Sequence, residues 1–161
     1  MTIYATAGAK FYIGGTIALP SADLTEASFT SQTWTEIKHT EGLGSAGDTA
    51  QEIKVSLIDR ERDVRMKGTR DAGTMEIVAN ADGADAGQLA LIAAEKTRDN
   101  YAFKLVLNDA PAGGTPSERK FVALVMKAAE QFDQANNAVK LNASLGINSN
   151  IVRTAAAAGG A

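Results

Sequence analysis

ADAGQLALIAAEKTRDNYAFKLVL, residues 84–107, changes its hydrophobic period halfway along. From Ala84 to Arg98 it is rich in Ala, Leu, Gln and Glu, all good helix formers. Leu89, Ile92 and Ala93 share a face at helical spacing, with Leu91 at its margin. Asp85 stands where an N-cap or first-turn acid belongs, and Lys96 and Arg98 complement the helix dipole at the far end. From Tyr101 to Leu107 the period drops to two. Tyr101, Phe103, Leu105 and Leu107 fall on one face, and Ala102, Lys104 and Val106 on the other, which is the signature of a strand.

Outward from this stretch the sequence reads mostly as strands. Lys120–Lys127 is apolar on both faces, as in a central strand or one lying against a partner. Val139–Leu145 alternates again, and Ala135-Asn136-Asn137 is the expected turn between the two. Weaker strand candidates are Lys10–Ile13, Trp34–Lys38, Gln51–Ile58 and Thr74–Ala79. Ala110–Pro116 and the glycine-rich Thr40–Ala50 read as loops, the second as a mobile one. Arg153–Ala161 has the composition of a flexible tail. The fold class is therefore mainly β, a β-sandwich or barrel with one packed α-helix.

Composition narrows the function. With 161 residues the chain fits one domain around one core. A net charge of −3 argues against a surface built to grip nucleic acid, which needs clustered Lys and Arg. The chain has no cysteine, which excludes disulfides and thiolate metal sites. No apolar run is long enough for a membrane span, and Met1–Lys10 lacks the pattern of a signal peptide, so folding in a cytoplasm is expected.

Catalytic patterns are thin. The lone His39 has neither a second imidazole nor a thiolate for a metal site, and reads as an exposed polar residue. Gly42–Gly47 contains GxGxxG, but strand-like residues follow it where a dinucleotide site needs a helix. Asp59, Glu61 and Asp63 alternate with Arg60 and Arg62. If extended, they would project to one side, as a solvated or interface face more readily than as a catalytic pair. Asp82 and Asp85 read as loop and helix-start residues, and the aromatics interleave with Ala, Val and Thr, as in a core. No enzymatic activity, metal or cofactor is expected.

The order of these elements resembles the major tail tube proteins of long-tailed, non-contractile bacteriophages. The resemblance rests first on Gly83–Asn108, where GQLALIAAEKT runs through Arg98-Asp99-Asn100 into a strand. It rests next on FVALVMKAAEQFDQANNAVKLNASLGI (Phe121–Ile147), like that family's closing pair of strands, and on AKFYIGG (Ala9–Gly15), like its opening strand. Glu26–Gly47 matches only loosely.

The resemblance implies a tail tube β domain over residues 1–152, with the flexible tail at 153–161. It implies homohexameric rings stacked into a tube that conducts double-stranded DNA. The implied partners are a tape measure protein, a tail terminator and tail tip proteins, within a virion assembled in a bacterial cytoplasm. Gln51–Ala79 is expected to form a long hairpin that joins neighbouring subunits and lines the lumen. Its candidate interface residues are Ile53, Val55, Leu57, Met75 and Ile77, and its candidate lumen acids are Asp59, Glu61, Asp63 and Glu76. The rivals are another head–tail or baseplate component such as a terminator, and a small-ligand β-barrel of the lipocalin kind.

Overall fold

In the computed structural model, which describes residues 3–160, one long antiparallel sheet is packed on one side by an α-helix. The elements are β1 (Lys10–Thr16), β2 (Thr35–Ile37), β3 (Thr40–Gly42), β4 (Thr49–Val55), β5 (Val64–Asp71), β6 (Thr74–Asn80), α1 (Ala86–Glu95), β7 (Tyr101–Val106), β8 (Glu118–Gln131), β9 (Lys140–Ile147) and β10 (Val152–Thr154). The main sheet runs β2-β1-β7-β8-β9-β6-β3, and β10 adds to β8. β4 and β5 pair only with each other.

Chain connectivity forces the sheet to curl. β2 and β3 lie at opposite ends of the strand order, yet only Lys38 and His39 separate them. Laid flat, seven strands would hold their outer members about 29 Å apart, at about 4.8 Å per strand. Three chain steps reach about 10 Å. The sheet therefore rolls up until its ends meet, with the corner residue His39 in the left-handed region at φ 61.

Helix α1 seals this corner. Asp85 caps the helix through Gln88 N–H and also accepts from Lys38 N–H at 3.0 Å. The Gln88 amide donates to the carbonyls of Lys38 (3.1 Å) and Asn80 (2.9 Å), while its oxygen accepts from Asp82 N–H (2.9 Å). One buried side chain thus ties the β2–β3 corner to the end of β6. Gly87 is required here, because a Cβ would stand 2.1 Å from the Glu36 carbonyl oxygen.

The interior is filled by one parity of each strand: Phe11 and Ile13, Met75 and Ile77, Phe103, Phe121 and Val125, Leu141 and Leu145. The Phe103 ring stacks on Phe11 and Phe121 at 5.7 and 5.8 Å. Opposite it, Ala102 and Val122 are covered by Leu24 and Phe29 from the segment between β1 and β2. Lys120 reaches from β8 to Glu26 of that segment, and to Glu118 at 3.0 Å. β8 is thus central, and from Lys120 to Val125 it is covered on both faces as its composition implies, whereas Met126 is 63% exposed.

Several expectations change. The helix buries Gly87, Gln88, Leu91 and Ala94, and Leu89 is half exposed. The helix is turned toward the polar groups that Gln88 satisfies, which apolar periodicity does not register. Thr40–Ala50 is not one loop: Thr40–Gly42 pairs with β6, and Thr49 opens β4. Gly44 (φ 61) packs this loop against the Glu76 backbone. Between β8 and β9 the residue with positive φ is Asp133, not Asn136 or Asn137. β10 crosses the expected domain boundary at residue 152, and Ala157 bridges Thr115.

Gln88→Ala should cost about 3 kcal/mol in denaturant unfolding, because it strands buried partners of three hydrogen bonds. Leu91→Ala should cost about 2–5 kcal/mol, and Leu89→Ala no more than about 0.5 kcal/mol. Equal losses for Leu89 and Leu91 would contradict the observed helix face.

Acid titration checks the second cluster. The bond from Lys120, then that from Thr154, holds the Glu26 carboxyl below its ordinary value of 4.5. A depressed carboxyl stabilises the fold above its unfolded value and loses that contribution as pH falls through the folded one. Burial disfavours charge on Lys120, but its bonds to Glu26 and Glu118 outweigh this and raise it. Glu26→Gln should therefore cost less than about 1 kcal/mol near neutrality, since Glu26 is half exposed. The gap to wild type should close as pH drops below 4.5.

Candidate assembly surface

The β4–β5 ribbon stands apart from the main sheet, and period two divides it into two faces. Val55 faces Val64, and Ile53 faces Met66. Gly68 leaves room beside Gln51 on this same side. The opposite face carries Lys54 against Arg65, and Glu52 against Lys67. There Arg65 pairs with Glu52 and Lys54 with Asp63, both at 2.8 Å.

Among the described residues nothing covers the apolar face. Ile53 is 46% exposed and Met66 56%, and neither joins a core cluster. At the tip Leu57 is partly exposed and Ile58 fully so. A two-stranded hairpin alone is marginally stable in water, and its unpaired edges are templates for another strand.

The expected hairpin of Gln51–Ala79 is thus shorter, spanning β4 and β5, and its return strand is β5. Ile53, Val55 and Leu57 lie on the ribbon or its tip. Met75 and Ile77 belong to β6 and are 2% and 1% exposed, so they are core residues of the main sheet and not part of the ribbon. Met66 and Ile58 were missed. Met66 alternates with Val64, but Arg65 and Lys67 on either side of it make the segment read as charged.

The acids are also dispersed. Asp59, Glu61 and Asp63 sit in the turn and bends between β4 and β5, not in an extended row. Hydrogen bonds from Lys54, then Ser56, hold Asp63 below the usual carboxylate range. From Thr49 to Asp71 the ribbon carries six basic residues against five acidic ones, so it is not a negative surface. Glu76 lies on the outward face of β6, where its carboxylate accepts from the Ser144 hydroxyl at 2.7 and 2.8 Å.

Polar residues elsewhere hold structure together. His39 Nε2 lies 3.2 Å from Asp82, beside the closure corner. The glycine-rich stretch after it joins two strands. Among the described residues, no cluster of three or more His, Asp or Glu could hold a metal ion, and no helix is long and apolar enough to cross a membrane.

No family model matches the chain, and no curated protein matches it. Solved structures do. A chain of the anti-feeding prophage baseplate is 10% identical and superposes with a TM-score of 0.65, covering 96% of this chain and 98% of that one. A chain of the SPP1 tail tube is 14% identical at TM-score 0.64, covering 95% of this chain and 80% of that one. A chain from the sheath/tube terminator of the PVC extracellular contractile injection system is 9% identical at 0.69, covering 96% and 99%. At such identities the likeness is one of fold, and it extends over nearly the whole chain: a curled antiparallel sheet with one packed helix, the tail tube fold.

Proposed function

We propose that this chain is a non-enzymatic structural subunit of a phage tail tube, joining other copies into hexameric rings that stack along an axis. The observation that carries this is the β4–β5 ribbon, whose apolar face and free edges find no partner among the described residues of their own chain. A neighbour supplies what is missing. The fold likeness to tube, terminator and baseplate chains supports the same reading, although fold alone does not assign function.

Geometry also favours a shared wall over a single-copy container. The rolled sheet is filled by its own Phe11, Phe103 and Phe121, which speaks against a lipocalin-like ligand site within it. A lumen wide enough for duplex DNA needs several copies around an axis. In this reading the tube belongs to the virion of a long-tailed phage and is assembled in the host cytoplasm. It holds a tape measure protein before ejection and then passes DNA, and it meets terminator and tip proteins at its ends. Of the four acids expected at the lumen we keep Glu76, which lies on the broad outward face of the main sheet. Residues 153–161, which include part of β10, are proposed to exchange their contacts within the subunit for contacts between rings.

A terminator is the second reading, favoured by the 0.69 TM-score against the terminator chain, slightly above the 0.64 against the tail tube chain. Electron micrographs of concentrated wild-type protein separate the two, since a tube protein gives long tubes and a terminator gives isolated rings. Persistent monomers would remove both. The double variant Ile53→Lys with Met66→Glu keeps a cross-strand attraction worth about 0.2–1 kcal/mol but erases the apolar face. Tubes should vanish while the subunit's melting temperature stays at the wild-type value. Normal tubes from this variant would show that the face is not an interface.

A further inference from the structure

The tip of the ribbon and one pocket of the barrel have complementary shapes and charges. The pocket, of about 200 Å³, opens between the loop before β4 and the start of β10. Its apolar wall comes from Leu43, Met75, Leu105, Leu107, Phe121 and Ile151. Arg119 and Arg153 also line it, as facing residues of β8 and β10. Among the described residues neither guanidinium makes a salt bridge. The ribbon tip presents the opposite combination: Leu57 partly exposed, Ile58 fully exposed, then Asp59 and Glu61. Among the described residues these two acids also make no salt bridge.

We propose that the hairpin tip of one copy seats Ile58 in this pocket of a second copy, with Asp59 and Glu61 against Arg119 and Arg153. The inference rests on the tube reading and names the partner site that the ribbon uses there. Seating within one chain is out of reach. β4 has seven residues, so the tip stands about 20 Å beyond the root of the ribbon at about 3.3 Å per residue. Leu43, Gly44 and Ala46 of the pocket lie at that root.

The competing occupant is the chain's own N-terminal segment, since Thr6 borders the pocket and Ile3 and Tyr4 are exposed. Residues 1–6 carry no acid to set against two arginines, whereas the tip carries two. Contact between a tip and a different patch is head-to-tail, so it propagates from copy to copy and closes a ring or extends a filament, depending on the rotation it imposes.

The absence of cysteine makes the test clean. Ile58→Cys and Leu43→Cys chains are purified separately, mixed, allowed to assemble and mildly oxidised. The proposal expects covalent dimers in the mixture and none from either variant alone. Charge reversal gives a second readout. Arg119→Glu with Arg153→Glu should raise the concentration needed for assembly more than about ten-fold, as expected for breaking interfacial charge pairs. Combining that pair with Asp59→Arg and Glu61→Arg should restore it.

Wild-type tubes or rings with no mixed dimer, and no rescue by the four-fold swap, overturn the socket and leave the tube reading standing. Dimers from Ile58→Cys alone mean that tip meets tip and overturn it as well. An intrachain disulfide in an Ile3→Cys, Leu43→Cys variant of assembled material assigns the pocket to the N-terminal segment, with the same consequence. Wild-type chains that stay monomeric at high concentration overturn both readings.

Discussion

Two residues, Lys38 and His39, join strands that sit at opposite ends of the sheet, and the rest of the molecule is arranged around that short link. A sheet so constrained has an inside and an outside. The inside takes every second side chain of β1, β6, β7, β8 and β9, which is why three phenylalanine rings can meet at its centre. The seam still lacks a direct β2–β3 pairing, and α1 supplies the polar contacts there. Asp85 and Gln88 use side chains where a closed barrel would use a strand ladder. A buried polar group of this kind is costly unless every partner is present. Among the described residues, no buried side-chain polar atom lacks a partner.

Closure has a second consequence. Once β3 has paired with β6, the chain from Thr49 to Asp71 joins no strand of the main sheet among the described residues. It folds back on itself as a ribbon with an apolar side. Monomeric proteins commonly protect such edges with charge, bulges or cover. Here the charged side of the ribbon is protected by Glu52–Arg65 and Lys54–Asp63, while Ile53 and Met66 stay open. That asymmetry is what the proposed contact with another copy would use. The outward face of β6 and β9 is different again, with Glu76, Ser144 and Asn142 beside Val78.

Similar chains in baseplate, tube and terminator structures share this architecture at 9–14% identity. At that identity the shared part is what the fold demands, the alternation of the strands and the packed helix.

The sequence by itself determined the elements whose signal is local. Period two in Tyr101–Leu107, two-sided apolarity in Lys120–Lys127 and helix-forming composition from Ala84 onward each depend on neighbours a few residues away, and each pattern lies on the element it marked, although α1 ends at Glu95, so that Lys96 is its cap and Arg98 lies beyond it. Asp85 as helix cap was legible for the same reason. The ribbon was legible only in part. Ile53, Val55 and Leu57 pointed to it, but β5 was hidden because its outward charges masked Val64 and Met66. Only the tertiary structure could separate Met75 and Ile77 from Ile53. All sit in alternating strands, and which strand joins the closed sheet depends on pairing between residues far apart in the chain. The helix face followed the same logic: Gln88 outranked Leu89 because its partners, Lys38 of the β2–β3 corner and Asn80 at the end of β6, are brought together only by the folded sheet and present carbonyls that only a donor can satisfy.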